Sequence, residues 1–586
     1  GTFSNSYVTI TGTVSGTGNY VGGFVGENGS SGNIFDSYAT GTVAGTGTDV
    51  GGFVGYNFNS TVSNSYATVS VAGTSAVNGF VGLNSGGTYN NDWYYNGTAY
   101  TQPANVTQAT GYSDFYATGS GTGGAVYLLS GTCPAWNFPG TWSSQAGAYP
   151  ILSLFTTWDI WQGPSGGNWS NAANWSSGVP TSTTNVLFNS SDNNNSTIDA
   201  GFSSSITNLT INGYSGTITQ SANLTITGAY IQTSGTFTCA APATYTFTAS
   251  EGFSIPITGN TLYFNRFTGG GSSGSPYMIY DVYGLQAMGE LAFFSHYFAL
   301  ANNIDASSTI NWNSGNGFVP IGNSTSGSFT GNFNGKGYTI SHLYIYLPST
   351  QYVGLFGEVN SITISNLNLT VDNITGSLEV GGLVGYLNLG TISTTSVTVN
   401  SGKSVSGTGN YIGGMAGYNS GATFSNSYVN ITGTVSGTGT YIGGFVGENG
   451  GSGVISDSYA TGTVAGTGTD VGGFAGYNAS STVSNSFATV SVAGSSAVNG
   501  FVGLDSSGIY NNDWYFNGNA YTQPTNVTQA TGYSDFYGTG SGTGGAAYLI
   551  SGTCPAWNFS TVWASRNSAY PIFRDQAPNQ GFFAFF

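Results

Sequence analysis

Apolar and small polar residues alternate along most of the chain, in short segments closed by clusters of Gly, Asn and Ser. A period of two is the pattern of β strands, whose side chains point to opposite faces in turn. One five-residue phrase punctuates these segments: GGFVG at Gly22 and Gly51, NGFVG at Asn78, VGLFG at Val353, GGLVG at Gly381, GGMAG at Gly413, GGFVG at Gly443, GGFAG at Gly472 and NGFVG at Asn499. Within each series the copies lie about 27 to 32 residues apart, the period of a solenoid. A second phrase falls between most copies, as in SNSY at Ser4, DSYAT at Asp36, SNSYAT at Ser63 and DSYAT at Asp457. A third follows, GTVSGTG from Gly12 or GTVAGTG from Gly41. Three β segments with their turns in about 28 residues make one triangular coil. Coils stacked through parallel strands rise ~4.8 Å each, so equivalent residues stand above one another. This predicts an inward ladder of Phe24, Phe53 and Phe80, glycine corners with positive φ, and Asn or Ser hydrogen bonds shared between coils.

A longer repeat lies over the short one. Thr2 to Leu152 realigns without a gap on Thr423 to Phe573, placing Trp93 on Trp514, Cys133 on Cys554, Trp136 on Trp557 and Pro150 on Pro571. The expected fold class is all-β, with two parallel β-helix segments joined by a cap and a β-rich spacer. Its parts are coils over residues 1–84, incomplete at their N-terminal side; a C-terminal cap over 85–156; a β-rich spacer over 157–265; a second β-helix over 266–505; a second cap over 506–574; and an aromatic tail over 575–586. The spacer's turns, every 8 to 12 residues, suit either a sandwich or a short solenoid. Helical apolar spacing from Asp281 to Ala301 predicts a short helix near 281–301 that covers the open end of the second β-helix. Because Gly1 aligns with Ala422, deep inside the second series, the native polypeptide is expected to continue N-terminally or to abut a coil of another chain.

Composition narrows the function. Five Lys plus Arg stand against 22 Asp plus Glu, a formal net charge of -17, so no basic groove for nucleic acid and no attraction to an anionic membrane can be built. No run approaches the ~18 apolar residues of a membrane span. With only 5% charged residues but 39% hydrophobic and 15% aromatic ones, the chain has the apolar surface to fold and a surface of hydroxyls and amides. Three cysteines, Cys133, Cys239 and Cys554, make no disulfide framework.

The phrases resemble those of the GLUG-motif repeat proteins, large bacterial surface and secreted proteins akin to filamentous-haemagglutinin-like adhesins, over roughly two thirds of the chain. The resemblance implies a parallel β-helix at a cell surface and no particular ligand. Some GLUG-repeat proteins are named peptidases, but no HExxH zinc motif is present here.

Candidate chemistry is thin. Arg266, Lys336, Lys403, Arg566 and Arg574 do not recur at coil spacing, as a lyase base on successive coils would. Glu27 and Asp36 recur as Glu448 and Asp457, yet these positions elsewhere hold Tyr or Asn, which argues for turns over a hydrolase dyad. His296 and His342 belong to no catalytic motif. Oxygen ligands around Asp192 and Asp199 offer a calcium site without EF-hand or nonapeptide spacing, so no cofactor is assigned. Glycosylation sequons include Asn28, Asn59, Asn96, Asn105, Asn168, Asn174, Asn208, Asn223, Asn368, Asn373, Asn430 and Asn526. The reading is a non-enzymatic extracellular structural or adhesive protein, a rigid module of a long adhesin or self-assembling filament. Its expected partners are neighbouring chains or tandem units, contacted through Phe582, Phe583, Phe585 and Phe586, and cell-surface glycans. The alternatives are a carbohydrate-binding module, with residues such as Trp93 and Trp514 stacked on sugar rings, or a polysaccharide lyase or hydrolase on the same scaffold.

Overall fold

A computed structural model describes residues 1–74, 77–95, 97–109, 136, 142–143, 149–152, 158–257, 262–323, 327–495, 498–519, 521–536, 557–559, 561–566 and 569–576. The fold is all-β: of the described residues 55% are in strands, with one short α-helix and about 16 stacked parallel turns.

Register is kept from coil to coil. In the first series Tyr38 pairs with Tyr66 and Tyr66 with Trp93; in the second, Val397 pairs with Val429, Val429 with Ala460 and Ala460 with Ala488. Like residues therefore stack. Phe24, Phe53 and Phe80 form the expected ladder with ring centroids 4.7 and 4.9 Å apart, matched by Phe445, Phe474 and Phe501 at 4.9 Å per step. Each stacked pair adds about 0.5–1.5 kcal/mol beyond its buried area. Amides form a second ladder: Asn419 Nδ2 donates to Asn449 Oδ1 at 2.8 Å, and Asn449 Nδ2 donates to Asn478 Oδ1 at 2.9 Å, all three fully buried. A third runs through Ser458, whose N–H donates to Ser486 Oγ; the Ser486 N–H donates in turn to Asp513 Oδ1.

Glycine works differently from the expectation. The glycines of the repeated phrase are not at positive φ. They allow close approach instead: a Cβ on Gly52 would stand 2.1 Å from the Gly79 carbonyl oxygen of the next coil. The left-handed corners are held by short polar residues, Asn5, Asp36 and Asn64 in one column and Asn426, Asp457 and Asn485 in its counterpart, at φ of 46 to 52°. Asn and Asp tolerate that region because their side chains bond locally.

Between the two series the spacer forms a solenoid of its own, with three parallel sheets and a tighter coil of about 22 residues, as where Leu209 pairs with Tyr230 and Tyr230 with Phe253. Its core is continuous with that of the second series; one cluster of buried side chains runs from Trp161 to Tyr515. The helix is shorter than expected, Val282–Ala287, and it caps no free end. All six of its residues are buried, and Tyr283 packs on Phe247 and Phe253 of the spacer on one side and on Trp312 on the other. A change of coil length leaves a mismatch in cross-section, and the helix fills it. Arg266 ties the splice together: its guanidinium pairs with Asp281 at 2.7 Å and donates to Gln220 and to the Tyr245 carbonyl.

The described residues after the second series fall in two parts. Trp514 pairs with Thr528, and Tyr515, packed against Tyr521, covers Gly500 at the last coil. The later described residues fold back along the flank, where Trp563 and Phe573 pack on Tyr459, and Trp557 on Phe487.

Asn449→Ala is expected to leave the amides of Asn419 and Asn478 without their partner, costing about 3 kcal/mol and lowering the urea midpoint of the whole chain. An unchanged midpoint would show that the amide ladder adds nothing to stability.

Candidate functional site

Two adjacent columns on one face of the second series carry the densest chemistry among the described residues. The first column holds the residue two positions before the first glycine of each phrase: Tyr352, Glu379, Tyr411, Tyr441 and Asp470. Pairing of Val353 with Val380, Val380 with Ile412 and Ile412 with Ile442 sets them one above another. The second column follows the phrase and is in register throughout: Glu358, Tyr386, Tyr418, Glu448, Tyr477 and Leu504. The tyrosines are half-buried and touch across the columns, Tyr352 to Tyr386 at 5.2 Å, Tyr411 to Tyr418 at 5.3 Å and Tyr441 to Tyr477 at 4.9 Å.

The carboxylates differ in burial. Glu379 and Glu448 are 7% and 8% exposed, and burial pushes the pKa of each up to about 7. Glu448 Oε1 and Tyr418 Oη both lie within 3.2 Å of the point where a Cβ on Gly450 would stand, so the glycine leaves room for their approach. Glu379 Oε2 is buried with no hydrogen-bond partner. Such a face can bind a cation or hold a proton near neutral pH. It does not bring two carboxylates together in one coil.

The residues singled out from the sequence scatter. Glu27 is exposed beside Tyr56, whereas Asp36 sits in the left-handed Asn column, so the two form no dyad. Arg266 is buried in the splice, Lys336 is an exposed turn residue at φ 51°, and Arg574 donates to the Phe559 carbonyl. His342 pairs with Asp305 at 3.1 Å on the surface, and His296 packs by Tyr277. Asp192 accepts from the Asn194 N–H, and Asp199, partly buried but hydrogen-bonded by Ser170 and Gly201, is held below the usual carboxylate range. Among the described residues no group of three or more His, Cys, Asp or Glu could hold a metal. Cys239 is buried and unpaired, while Cys133, Cys554 and the tail Phe582, Phe583, Phe585 and Phe586 lie outside the described residues.

Sequons divide by geometry. Asn59, Asn168 and Asn223 are exposed. Asn105 and Asn526 are exposed but donate their amides to the carbonyls of Tyr89 and Tyr510. Asn208, Asn368, Asn373 and Asn430 are half-buried and bonded to the preceding or following coil. Two are corrections: Asn28 is buried with its amide donated to Asn57, and buried Asn174 donates to the Asn168 carbonyl, so neither presents its nitrogen to a glycan. Asn96 lies outside the described residues. Trp93 and Trp514, 5% and 7% exposed, are core residues and offer no face to a sugar.

Comparison with known proteins adds the following. A family model described as the GLUG motif matches residues 17–44, 46–72 and 438–465. Halomucin of Haloquadratum walsbyi is 33% identical over 428 residues, which are 68% of this chain and 4% of halomucin. A protein of Evansella cellulosilytica, provisionally named a Gly-rich membrane protein, is 35% identical over 138 residues, 23% of this chain and 16% of that protein. The chain thus spans a small part of either relative. Among solved structures, a Bacteroides ovatus protein provisionally named an immunoglobulin A1 protease aligns at TM-score 0.38 and 20% identity, over 52% of this chain and 94% of that one. Among the described residues no helix is long and apolar enough to cross a membrane.

The raised carboxyl of Glu448 sets a pH dependence. The folded chain keeps a proton that the unfolded chain releases near its ordinary value of 4.5, so stability is full below that pH and falls as pH rises through about 7. Glu448→Gln should remove this slope. Its melting temperature is expected to match the parent at pH 4 and exceed it at pH 8, by about 1–3 kcal/mol in stability; equal curves at both pH values would contradict the assignment.

Proposed function

Because the chain belongs to the GLUG-motif repeat proteins, we propose that it is a non-enzymatic extracellular module, a rigid rod within a long adhesin-like surface protein. The observation that carries this reading is the uninterrupted core from Trp161 to Tyr515, spliced across a change of coil length without a hinge. A rod whose strands are all paired with the coils before and after resists bending, and repeating it lengthens a stalk at ~4.8 Å per coil. The small share of halomucin that the chain covers fits a module of a much longer protein. Partners on this reading are neighbouring repeat units and glycans at a cell surface. The scattering of the candidate acids, bases and cations over separate columns supports a structural role over catalysis.

One observation favours a second, compatible reading in which the rod itself contacts carbohydrate. A groove of about 450 Å³ beside the flank is lined by the aromatic column of Tyr428, Tyr459 and Phe487, by Arg566 and Tyr570, and by Asn430, Thr461 and Thr489, a row of polar side chains repeated coil by coil. Its size suits a small ligand, and the polar row suits sugar hydroxyls.

Negative-stain images of the whole chain should show straight rods, and antibodies raised to it should label intact producing cells at their surface. Flexible or compact particles, or label only after lysis, would overturn the proposal.

A further inference from the structure

Around Glu379 the tyrosine columns close into a partial ring. Tyr352 and Tyr411 flank Glu379 within its column, and the rings connect in the order Tyr352, Tyr386, Tyr418, Tyr411 at 5.2, 5.4 and 5.3 Å. Elsewhere stacked rings are nearly parallel, at 11° and 4° along the Phe445 ladder. Here Tyr386 is turned 38° from Tyr352 and 69° from Tyr418, which breaks the parallel stacking. The backbone supports this at a cost: Tyr352, Glu379 and Tyr411 all sit at left-handed φ, 59, 49 and 66°, whereas Tyr441 and Asp470 at the next two levels do not.

Between Tyr352 and Tyr411 in its column is Glu379, a residue 7% exposed whose Oε2 is buried without a hydrogen-bond partner. Its charge reaches the phenol of Tyr352, which is raised by burial first and then by this neighbour; Tyr411 and Tyr418 are raised by burial first and then by Glu448, with Glu379 a smaller contributor. Glu358 and Glu448 are the other charged groups facing these rings. Among the described residues no positive side chain offsets Glu379, whose shift comes from burial alone. Leaving a buried carboxylate unanswered is expensive, and a ring of electron-rich faces around it answers one kind of ligand.

We infer that the ring of Tyr352, Tyr386, Tyr418 and Tyr411 is a recognition site for an alkylammonium cation, with Glu379 as its counter-charge. A dication would need more oxygen ligands, and no group of three or more metal-binding side chains occurs among the described residues. A neutral sugar would leave the buried charge unpaired. A rounded, weakly hydrated ammonium head satisfies both the ring faces and the carboxylate. This assigns the second solenoid a binding activity beyond its role as a rod. Residues 1–152 hold no counterpart of Glu379, which lies outside the stretch that the long repeat duplicates.

The test uses the whole chain, with choline as probe and 3,3-dimethyl-1-butanol as its uncharged isostere, titrated by calorimetry at constant ionic strength. Choline is expected to saturate one site and the isostere not to bind. Glu379→Gln should weaken choline about ten-fold or more, Tyr418→Phe should retain binding, and Tyr418→Leu should lose it. Affinity should rise from pH 6 to pH 8, because the cation requires the ionised carboxyl, whose pKa stands at about 7. Thermal melts of each variant establish that it is folded, and Tyr386→Leu replaces Glu379→Gln should that variant fail to fold. Absence of saturation by choline at about 50 mM, equal binding of the isostere, or affinity unchanged in Glu379→Gln would each overturn the proposal.

Discussion

Everything in this molecule depends on the hydrogen bonding of one coil to the next through parallel strands. That pairing fixes a rise of ~4.8 Å, and with it the rule that each side chain lies directly over its equivalent. A residue is therefore selected for how well it stacks on a near copy of itself. Phe over Phe, Asn over Asn and Ser over Ser satisfy the rule in three ways: ring stacking, amide-to-amide bonding, and hydroxyl acceptance of the preceding coil's N–H. The ladders are consequences of one spacing.

The same spacing explains which parts could be read from the sequence. Coil period, strand direction and the Phe24–Phe53–Phe80 ladder follow from recurrence alone, because stacking turns a linear repeat into a spatial column. Asp36 was legible as a turn residue since its column elsewhere holds Asn, and the structure places all of them in the left-handed region. What recurrence could not show is what happens where it stops. The splice at Val282–Ala287 joins coils of two lengths, and its fit depends on three-dimensional cross-section, which no periodic pattern encodes. The return of Trp563 and Phe573 along the flank is likewise a contact between distant segments.

Exposure was the weakest inference. An Asn in a sequon reads as a surface acceptor, but an Asn amide also serves to bond its equivalent in the next coil or a nearby carbonyl. Asn28 and Asn174 went to internal bonds for that reason. Trp93 and Trp514 read as sugar platforms and are instead buried where the last coil meets its cap. In a solenoid with little charge, polarity does not separate inside from outside, since amides and hydroxyls serve both. The alternation of Tyr and Glu beside the repeated phrase was visible as substitution within a column, but its meaning required the second column, whose offset is set by how the chain turns at each glycine pair.

Those two columns also show how the scarcity of charge arises. Two carboxylates stacked on adjacent coils would stand ~4.8 Å apart, a repulsion of about 3 kcal/mol at an effective dielectric of about 20. Along both columns an acidic residue is never followed directly by another: Glu379 lies between Tyr352 and Tyr411, and Glu448 between Tyr418 and Tyr477. Across the columns the neighbours of each carboxylate are again tyrosines. A fold that repeats every side chain thus tolerates charge only as isolated interruptions. An interruption that is also buried, as at Glu379, has no partner that the repeat itself can supply, so its counter-charge must come from outside the coil stack or from a proton.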